Sequence, residues 1–326
     1  MAWSLNKSLL LGIILSTGIG ISLNNILFSW SIMELNLIFF IPILVFRKNF
    51  FFSNIAGLKY FFIQSLASII LLSVIIMNTI FSEDMLFSPF ILLALRWKMG
   101  IPPFHSWLIN LMIDLNYNNF FILSSWQKVI PFYIIDRILN EYIEVIILIS
   151  LLFSILLRVN QTRIKKILII SSIFTAAWVI ATIIFSKIFW IWVLLLYRIM
   201  LWVIIKFLFP IKSQNKVSFI RLSHSITEKV VLFIMTLSMA GFPPLMGFYL
   251  KLLILVGLIF LKMIFISTRL ILSSVILIYI YRTIFFTRLL GYSMGSTYQS
   301  SPSFSNSAIV YWSMGITFFP LLIFLV

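Results

Sequence analysis

Four ionisable residues, Glu34, Lys98, Lys128 and Lys251, stand inside long apolar stretches where water cannot solvate their charge. A charge at the centre of a bilayer costs about 2.5–3.5 kcal/mol on insertion scales, so each residue is a candidate for function and requires a partner. Burial disfavours the charged form of a lysine, and a nearby carboxylate favours it. A lysine whose carboxylate can approach or retreat therefore binds and releases protons, as a proton relay requires.

Glu34 is the strongest of these candidates, because it lies in the middle of the second apolar segment. Lys98 and Lys128 are its natural cationic partners. The alternative for Glu34 is an ion pair that only fixes helix packing. For Lys251, the alternative to proton transfer is that the flexible side chain extends towards the membrane interface.

Other titratable residues are secondary candidates. His105 could titrate near neutral pH and extend a path from Lys98, or it could cap or pack the start of a helix. Lys59 and Lys206 are expected close to helix ends, where extension towards the interface explains them better.

Two arginines, Arg96 and Arg198, also fall within apolar segments. Arginine stays protonated in proteins and cannot relay a proton by losing one. We expect these side chains to pair with carbonyls or acids, or to tune neighbouring lysines. The chain has no cysteine, and its two histidines are far apart, so we expect no metal or redox centre within it.

Proline pairs interrupt two apolar segments, at residues 100–104 (GIPPF) and 241–244 (GFPP), and each break has a lysine nearby. Proline removes a backbone donor, so carbonyls are freed at membrane depth, where only protein interior or water can satisfy them. Breaks at corresponding places in two halves indicate an inverted repeat with a transport site near the midplane. Here each broken segment is the fourth of five.

The elements that position these residues are apolar segments of membrane-spanning length. Of 326 residues, 62% are hydrophobic and 10% are charged, which predicts an all-α polytopic membrane protein without a soluble domain. Spans of about 20 apolar residues fit eleven times. The predicted helices are 5–22, 24–46, 57–80, 88–110, 119–139, 141–158, 164–185, 188–209, 229–257, 262–287 and 306–325.

The net charge of +16 is distributed over loops between the apolar segments, which argues against a nucleic-acid-binding face. Basic loops face the compartment in which a membrane protein is synthesised. The bias therefore places the N-terminus and the basic loops on that side and the C-terminus on the other. The basic loops hold Arg47, Lys48, Arg158, Arg163, Lys165, Lys166, Lys212, Lys216, Arg221, Lys229 and Arg288. The opposite loops hold Glu83, Asp84, Asp136, Glu141 and Glu144.

Several short motifs, in a fixed order, carry a resemblance. They are residues 33–37 (MELNL), 41–42 (IP), 59–61 (KYF) with Gln64, 67–68 (AS), 98–100 (KMG), 103–107 (PFHSW), 126–128 (WQK) with Pro131, 160–162 (NQT) with Lys166, 171–173 (SSI), and 241–245 (GFPPL) with Gly247, Phe248 and Lys251. In this order and spacing the chain resembles the chain 2 family of mitochondrial NADH–ubiquinone oxidoreductase, respiratory complex I, one of its antiporter-like membrane subunits.

The resemblance implies a single antiporter-like domain with two inverted five-helix repeats, at 1–140 and 141–290, and a loop and terminal helix at 291–326. It implies that Glu34 pairs with Lys98, and that Lys128 and Lys251 continue a hydrated proton path. The implied partners are other membrane-arm subunits, lipids, water and protons, and no nucleic acid. In that family NADH, FMN, iron–sulfur clusters and ubiquinone act in other subunits, so no cofactor is expected here.

The chain departs from the family pattern at three places. Ile55 stands where the family usually has an acid, Thr175 replaces a usual histidine, and Ala177 replaces a glycine. A role of that histidine therefore cannot be transferred to this chain.

The leading hypothesis is a proton-translocating subunit of complex I in the mitochondrial inner membrane, with its N-terminus on the matrix side and its C-terminus on the intermembrane-space side. One alternative is a free-standing or Mrp-like cation/proton antiporter subunit, which sodium-dependent transport without NADH would reveal. Another is a structural membrane scaffold, for which a dry interior would be expected.

Overall fold

The structure is a computed structural model that describes residues 2–45, 50–81, 84–138, 142–158, 161, 164–208 and 226–285. In these ranges the chain forms thirteen α-helices and one short 3₁₀ turn at Trp126–Lys128. The helices are α1 (Ala2–Ser22), α2 (Ile26–Val45), α3 (Phe50–Phe81), α4 (Asp84–Met99), α5 (Ser106–Asp114), α6 (Tyr117–Ser125), α7 (Val129–Arg137), α8 (Tyr142–Arg158), α9 (Ile164–Phe185), α10 (Phe189–Leu208), α11 (Ile226–Ala240), α12 (Met246–Phe260) and α13 (Ile264–Phe285).

The predicted segments from 5–22 to 262–287 each coincide with one helix or with two helices joined by an interruption. The two-helix segments are α4 with α5, α6 with α7, and α11 with α12. The prediction for α3 was wrong at its start, because the helix begins at Phe50 and places Lys59 well inside it. The predicted terminal helix 306–325 lies outside the described residues, as do many of the predicted basic-loop residues.

Five of the helices described are long and apolar enough to cross a membrane, by length and composition. They include Ile26–Val45, Asn54–Phe81, Lys165–Phe185, Phe189–Lys206 and Ile264–Tyr281. In α9, 89% of the residues in its most apolar stretch are buried, whereas the corresponding share is 33% in α3 and in α13. The side chains of α9 therefore face protein, whereas α3 and α13 expose a wide apolar face.

The chain divides into two compact units, Met1–Ser150 and Leu151–Val326. In the first unit, α2 packs between α1 and α3, α4 packs on α3, and α7 contacts α1, α2 and α4. Its core contains large side chains without exposed surface, including Phe40, Phe120 and Phe132. This packing brings α2, α4 and the start of α7 together.

In the second unit, α9 packs against α10 and α12, and α11 contacts α10, α12 and α13. Fully buried hydroxyls on these and neighbouring helices donate to the carbonyl one turn earlier. Thr182, for example, donates to the Val179 carbonyl at 2.6 Å, and Ser154 donates to the Leu151 carbonyl at 2.8 Å. Such local bonds let hydroxyl residues occupy apolar helices without unsatisfied polar atoms.

Candidate functional site

The first helix break follows directly from the glycine that ends α4. Gly100 has a φ of 65°. A residue with a Cβ adopts this left-handed conformation only at a conformational cost of about 1–2 kcal/mol. The Ile101 N–H donates to the Arg96 carbonyl at 3.0 Å, and the Gly100 N–H donates to the Trp97 carbonyl at 3.2 Å. This is a Schellman-type helix end, and the prolines that follow prevent the helix from continuing.

Side chains from neighbouring helices satisfy the carbonyls that the break sets free. Gln64 on α3 donates from Nε2 to the Lys98 carbonyl at 3.0 Å. Trp107 on α5 adds a second donor to the Trp97 carbonyl, from Nε1 at 3.2 Å, beside the Gly100 N–H. An unsatisfied buried carbonyl would cost about 1–3 kcal/mol, so these bonds allow the break to remain inside the protein.

Arg96 is explained by the same need, because its guanidinium donates to the Pro102 carbonyl. The predicted pairing with a carbonyl is thereby confirmed for this arginine. Lys59 and Lys206 are exposed, and the Lys206 ammonium lies 5.3 Å from the Trp202 ring centroid. Neither lysine contributes to a buried site, whereas Arg198 is half-buried on α10.

Glu34 and Lys98 form the predicted ion pair. The Lys98 Nζ donates to Glu34 Oε1 at 2.9 Å, linking α2 to the last turn of α4. The Lys98 side chain is 5% exposed and that of Glu34 is 27% exposed. Tyr60 on α3 lies close enough to the Glu34 carboxylate to interact with its charge. The lysine is thus held deep, while its carboxylate partner keeps room to move.

A further helix interruption, which the sequence interpretation missed, ends at Lys128. Trp126–Lys128 form a 3₁₀ turn between α6 and α7. Pro131 explains it, because a proline has no N–H for the carbonyl four residues earlier and its ring clashes there. The turn places Lys128 at the start of α7, where its side chain is buried with 3% exposure.

Lys98 and Lys128 line the same internal cavity of about 30 Å³. Gln127 donates from Nε2 to Asn36 Oδ1 at 3.2 Å on its wall. The volume has room for about two water molecules, and its polar lining supplies the partners they need. The lining residues are Met33, Asn36, Leu37, Tyr60, Gln64, Lys98, Met99, Trp107, Leu108, Leu123, Gln127, Lys128, Ile130 and Pro131.

His105 is not among the residues that line this cavity. It is half-buried just before α5, and its Nδ1 lies 3.1 Å from the Pro103 carbonyl oxygen. Its contact is therefore with the backbone of the break. In the part of the chain that the structure describes, no cluster of three or more His, Asp or Glu side chains could hold a metal ion.

The second break repeats the backbone of the first. Gly241 has a φ of 89°, and the Phe242 N–H donates to the Leu237 carbonyl at 3.1 Å. The Gly241 N–H donates to the Ser238 carbonyl at 3.1 Å. These bonds match those at Gly100 residue for residue, so the two halves share a local helix end as well as a sequence motif.

Lys251 lies on α12, ten residues after Gly241, and folds back onto the break. Its ammonium donates to the Ala240 carbonyl and lies 5.0 Å from the Phe174 ring centroid and 5.4 Å from that of Trp178. A carbonyl and two aromatic faces stabilise a cation. Among the residues described, Lys251 has no carboxylate within ion-pair distance.

Two charged residues that were predicted in loops are instead buried. Asp136 lies on α7 with 7% exposure, and Arg158 ends α8 with no exposed surface. The Arg158 guanidinium donates to the Ile167 carbonyl and to the Tyr281 hydroxyl, each at 3.0 Å. In the sequence Arg158 directly follows an apolar run, as a loop arginine would, so no local signal distinguishes the two cases.

Comparisons with known proteins place this arrangement in a family. The sequence profile of the NADH:quinone oxidoreductase/Mrp antiporter transmembrane family matches residues 23–277. NADH-ubiquinone oxidoreductase chain 2 of Anopheles gambiae is 31% identical over 285 residues, which are 85% of this chain and 83% of the relative.

Two solved structures share the fold. A chain of respiratory complex I from Thermus thermophilus aligns with a TM-score of 0.77 at 17% identity, over 96% of this chain and 77% of its own length. A chain of the Mrp complex from Dietzia sp. aligns with a TM-score of 0.74 at 18% identity, over 86% of this chain and 59% of its own length. The profile match and the sequence relative show that the chain belongs to the NADH:quinone oxidoreductase/Mrp antiporter family, within its NADH-ubiquinone oxidoreductase chain 2 group.

Proposed function

We propose that this chain is a proton-translocating membrane subunit of NADH:ubiquinone oxidoreductase in the mitochondrial inner membrane, bound to other membrane-arm subunits. Electron transfer from NADH to ubiquinone takes place in other subunits. The observation that carries the proposal is the Glu34–Lys98 ion pair, whose lysine shares a polar cavity with Lys128. The chain 2 relatives support the assembly and the location.

The full architecture in this proposal has eleven spans, as two inverted five-helix repeats at 1–140 and 141–290 followed by a terminal helix. The identical hydrogen bonds at Gly100 and Gly241 support a repeat. The distribution of basic loops supports an N-terminus on the matrix side.

In the first unit, the position of the Glu34 carboxylate controls the proton on Lys98. While the 2.9 Å pair is closed, the carboxylate stabilises the ammonium. When the carboxylate moves away, Lys98 is a buried cation without compensation and gives up its proton. Water in the shared cavity carries that proton to Lys128, which stays at fixed depth beside Gln127.

In the second unit, Lys251 is the proton carrier. The Ala240 carbonyl and the rings of Phe174 and Trp178 stabilise its charged form. No carboxylate of the described residues can switch that stabilisation off. We infer that another group, or the neighbouring subunit, drives proton release from Lys251.

The test is Lys98→Ala and, separately, Lys128→Ala in the assembled complex, with protons translocated per NADH oxidised as the readout. Both variants should lower this ratio while NADH oxidation continues. Lys59→Ala is the matched control, because it removes the same charge from an exposed position on α3. An unchanged ratio in both buried variants would overturn the assignment.

The Mrp-like alternative shares the fold and the broad transmembrane family, but the curated relatives at about 30% identity are NADH-ubiquinone oxidoreductase chain 2 proteins. Sodium-dependent transport in the absence of NADH would favour it. A purely structural scaffold would be favoured by a dry interior, and the cavity bounded by two lysines argues against that.

A further inference from the structure

Arg158 is a buried fixed charge in the second unit that the proton path does not use. Its side chain has no exposed surface, and its guanidinium carbon lies 4.4 Å from the Tyr281 ring centroid. Nη2 donates to the Ile167 carbonyl and the Tyr281 hydroxyl. Nε and Nη1 are buried, and among the residues that the structure describes neither has a hydrogen-bond partner. Such burial is unfavourable for the fold, so packing alone is a poor reason for an arginine here.

The distance from Arg158 to Lys251 can be read along α9. Arg158 is bound to Ile167 and Lys251 lies over Phe174, and these two α9 residues are seven positions apart. Seven residues are nearly two full turns, so Ile167 and Phe174 lie on the same side of α9, about 10 Å apart along its axis. Arg158 is also close enough for its charge to act on Lys251.

The charged and titratable groups around this pair are few. Tyr281 on α13 and Tyr197 on α10 face the guanidinium of Arg158. Arg158 stands at the end of α8, and among the described residues it is the charged group whose field reaches Lys251. The guanidinium cannot lose its proton, so its repulsion is constant.

We propose that Arg158 is a positioning residue for proton transfer in the second unit: its fixed positive charge repels the proton on Lys251 and so promotes release without a carboxylate switch. This inference rests on the proposed function of Lys251. The Ala240 carbonyl and the aromatic rings hold the ammonium, and Arg158 opposes them. In the second unit, this opposition of attraction and repulsion takes the place of the Glu34 carboxylate that moves in the first unit.

The magnitude follows from Coulomb's law. Two like charges about 10 Å apart, at an effective dielectric constant of about 20, change the proton affinity of one by roughly tenfold. Without Arg158, proton release from Lys251 should therefore be roughly tenfold less favourable.

The experiment is the pH dependence of proton translocation per NADH in the assembled complex carrying Arg158→Gln. The pH at which translocation is half-maximal should rise by about 1 unit. Tyr281→Phe removes a bond to Arg158 but keeps the charge, so it should leave the profile in place. Arg269→Gln removes an exposed arginine of α13 and is the matched charge control.

A merely structural role of Arg158 predicts that Arg158→Gln and Tyr281→Phe both reduce assembly and that neither moves the profile; that result overturns the inference. Should Arg158→Gln not assemble, Arg158→Met removes the charge but keeps an apolar stem, and the same shift is required of it.

Lys251→Ala separates this inference from the proposed function. If Lys251→Ala leaves translocation unchanged, the proposed role of Lys251 fails. If it lowers translocation but the Arg158→Gln profile does not move, the inference alone fails. If the role of Lys251 and the inference about Arg158 are both correct, the shift of the pH profile should disappear when Arg158→Gln is combined with Lys251→Ala.

Discussion

The two broken helices have the same backbone and different chemistry. In both, a left-handed glycine ends a helix, and the next N–H donates to the carbonyl five residues earlier. At the first break, Lys98 precedes the glycine and its ammonium pairs with a carboxylate. At the second, Lys251 follows the glycine and its ammonium meets a carbonyl and two rings. A repeated fold can therefore hold its lysine by two different means.

The surroundings of the two glycines differ in the same way. A Cβ on Gly100 would lie 2.7 Å from Leu108 Cβ, whereas a Cβ on Gly241 would lie 2.7 Å from Lys251 Cδ and 2.8 Å from its Nζ. The first glycine makes room for packing, and the second makes room for the candidate proton carrier.

Glu34→Gln tests the contrast between the two breaks most directly, because it removes the carboxylate that pairs with Lys98 at the first break. Lys98 would lose its countercharge, so we expect the protons translocated per NADH to fall by the share that this subunit contributes, since the other antiporter-like subunits are unchanged. Stability should fall by about 2 kcal/mol, less than the 3–5 of a fully buried pair because Glu34 is partly exposed. Translocation per NADH and thermal stability of the complex are the measurements. Normal translocation would mean that Lys98 needs no carboxylate partner to move its proton.

Alanine substitutions at the two glycines should have the next largest effects on translocation and stability. Gly241→Ala should carry a left-handed backbone strain of about 1–2 kcal/mol and, in addition, displace the Lys251 ammonium and lower translocation in assembled complex, because the new methyl group would occupy the space of the lysine side chain. Gly100→Ala should instead destabilise the protein by about 2–3 kcal/mol through backbone strain and contact with Leu108, with little change in protons per NADH. Assembly yield and translocation, measured on both variants, separate the outcomes. Identical effects would contradict the contrast.

A smaller effect is expected from Gln64→Leu. The Lys98 carbonyl would lose its donor, which should reduce stability by about 1–3 kcal/mol. A melting curve of the complex reports it, with Ser73→Ala on the exposed face of α3 as a control. No loss of stability would indicate that cavity water takes over the bond.

The smallest effect is expected from Lys206→Gln. The ammonium is exposed above the Trp202 ring, so its loss should change stability by less than about 1 kcal/mol and leave translocation unaltered. A clear loss of protons per NADH would show that the charge of this lysine matters to the second unit.

Much of this arrangement could be predicted from the sequence. The apolar segments located the helices, because a charge-poor run of spanning length has few other uses. The proline pairs located both breaks, and the burial cost of charge selected Glu34 and Lys98. Their contact, however, joins residues 64 positions apart, so it followed from the resemblance and not from spacing.

What the sequence could not reveal are features that depend on packing. The turn before Lys128 follows from Pro131, but many spans tolerate a proline without a change of helix type. The burial of Arg158 was missed because it depends on helices that are distant in sequence, such as α13, whose Tyr281 accepts from the guanidinium. The role of Gln64 could not be predicted either, because nothing in the sequence indicates that its side chain donates to the Lys98 carbonyl.

The hydrogen bonds at the first break also bear on motion. Opening that break would disrupt the bonds from Gln64, Trp107 and Arg96, at roughly 1 kcal/mol for each. Rotation of a carboxylate with 27% exposure disrupts one ion pair and no backbone contact. The break is therefore better suited to be a stationary frame than a hinge, and the moving parts beside it should be side chains and water, which reorient in picoseconds to nanoseconds.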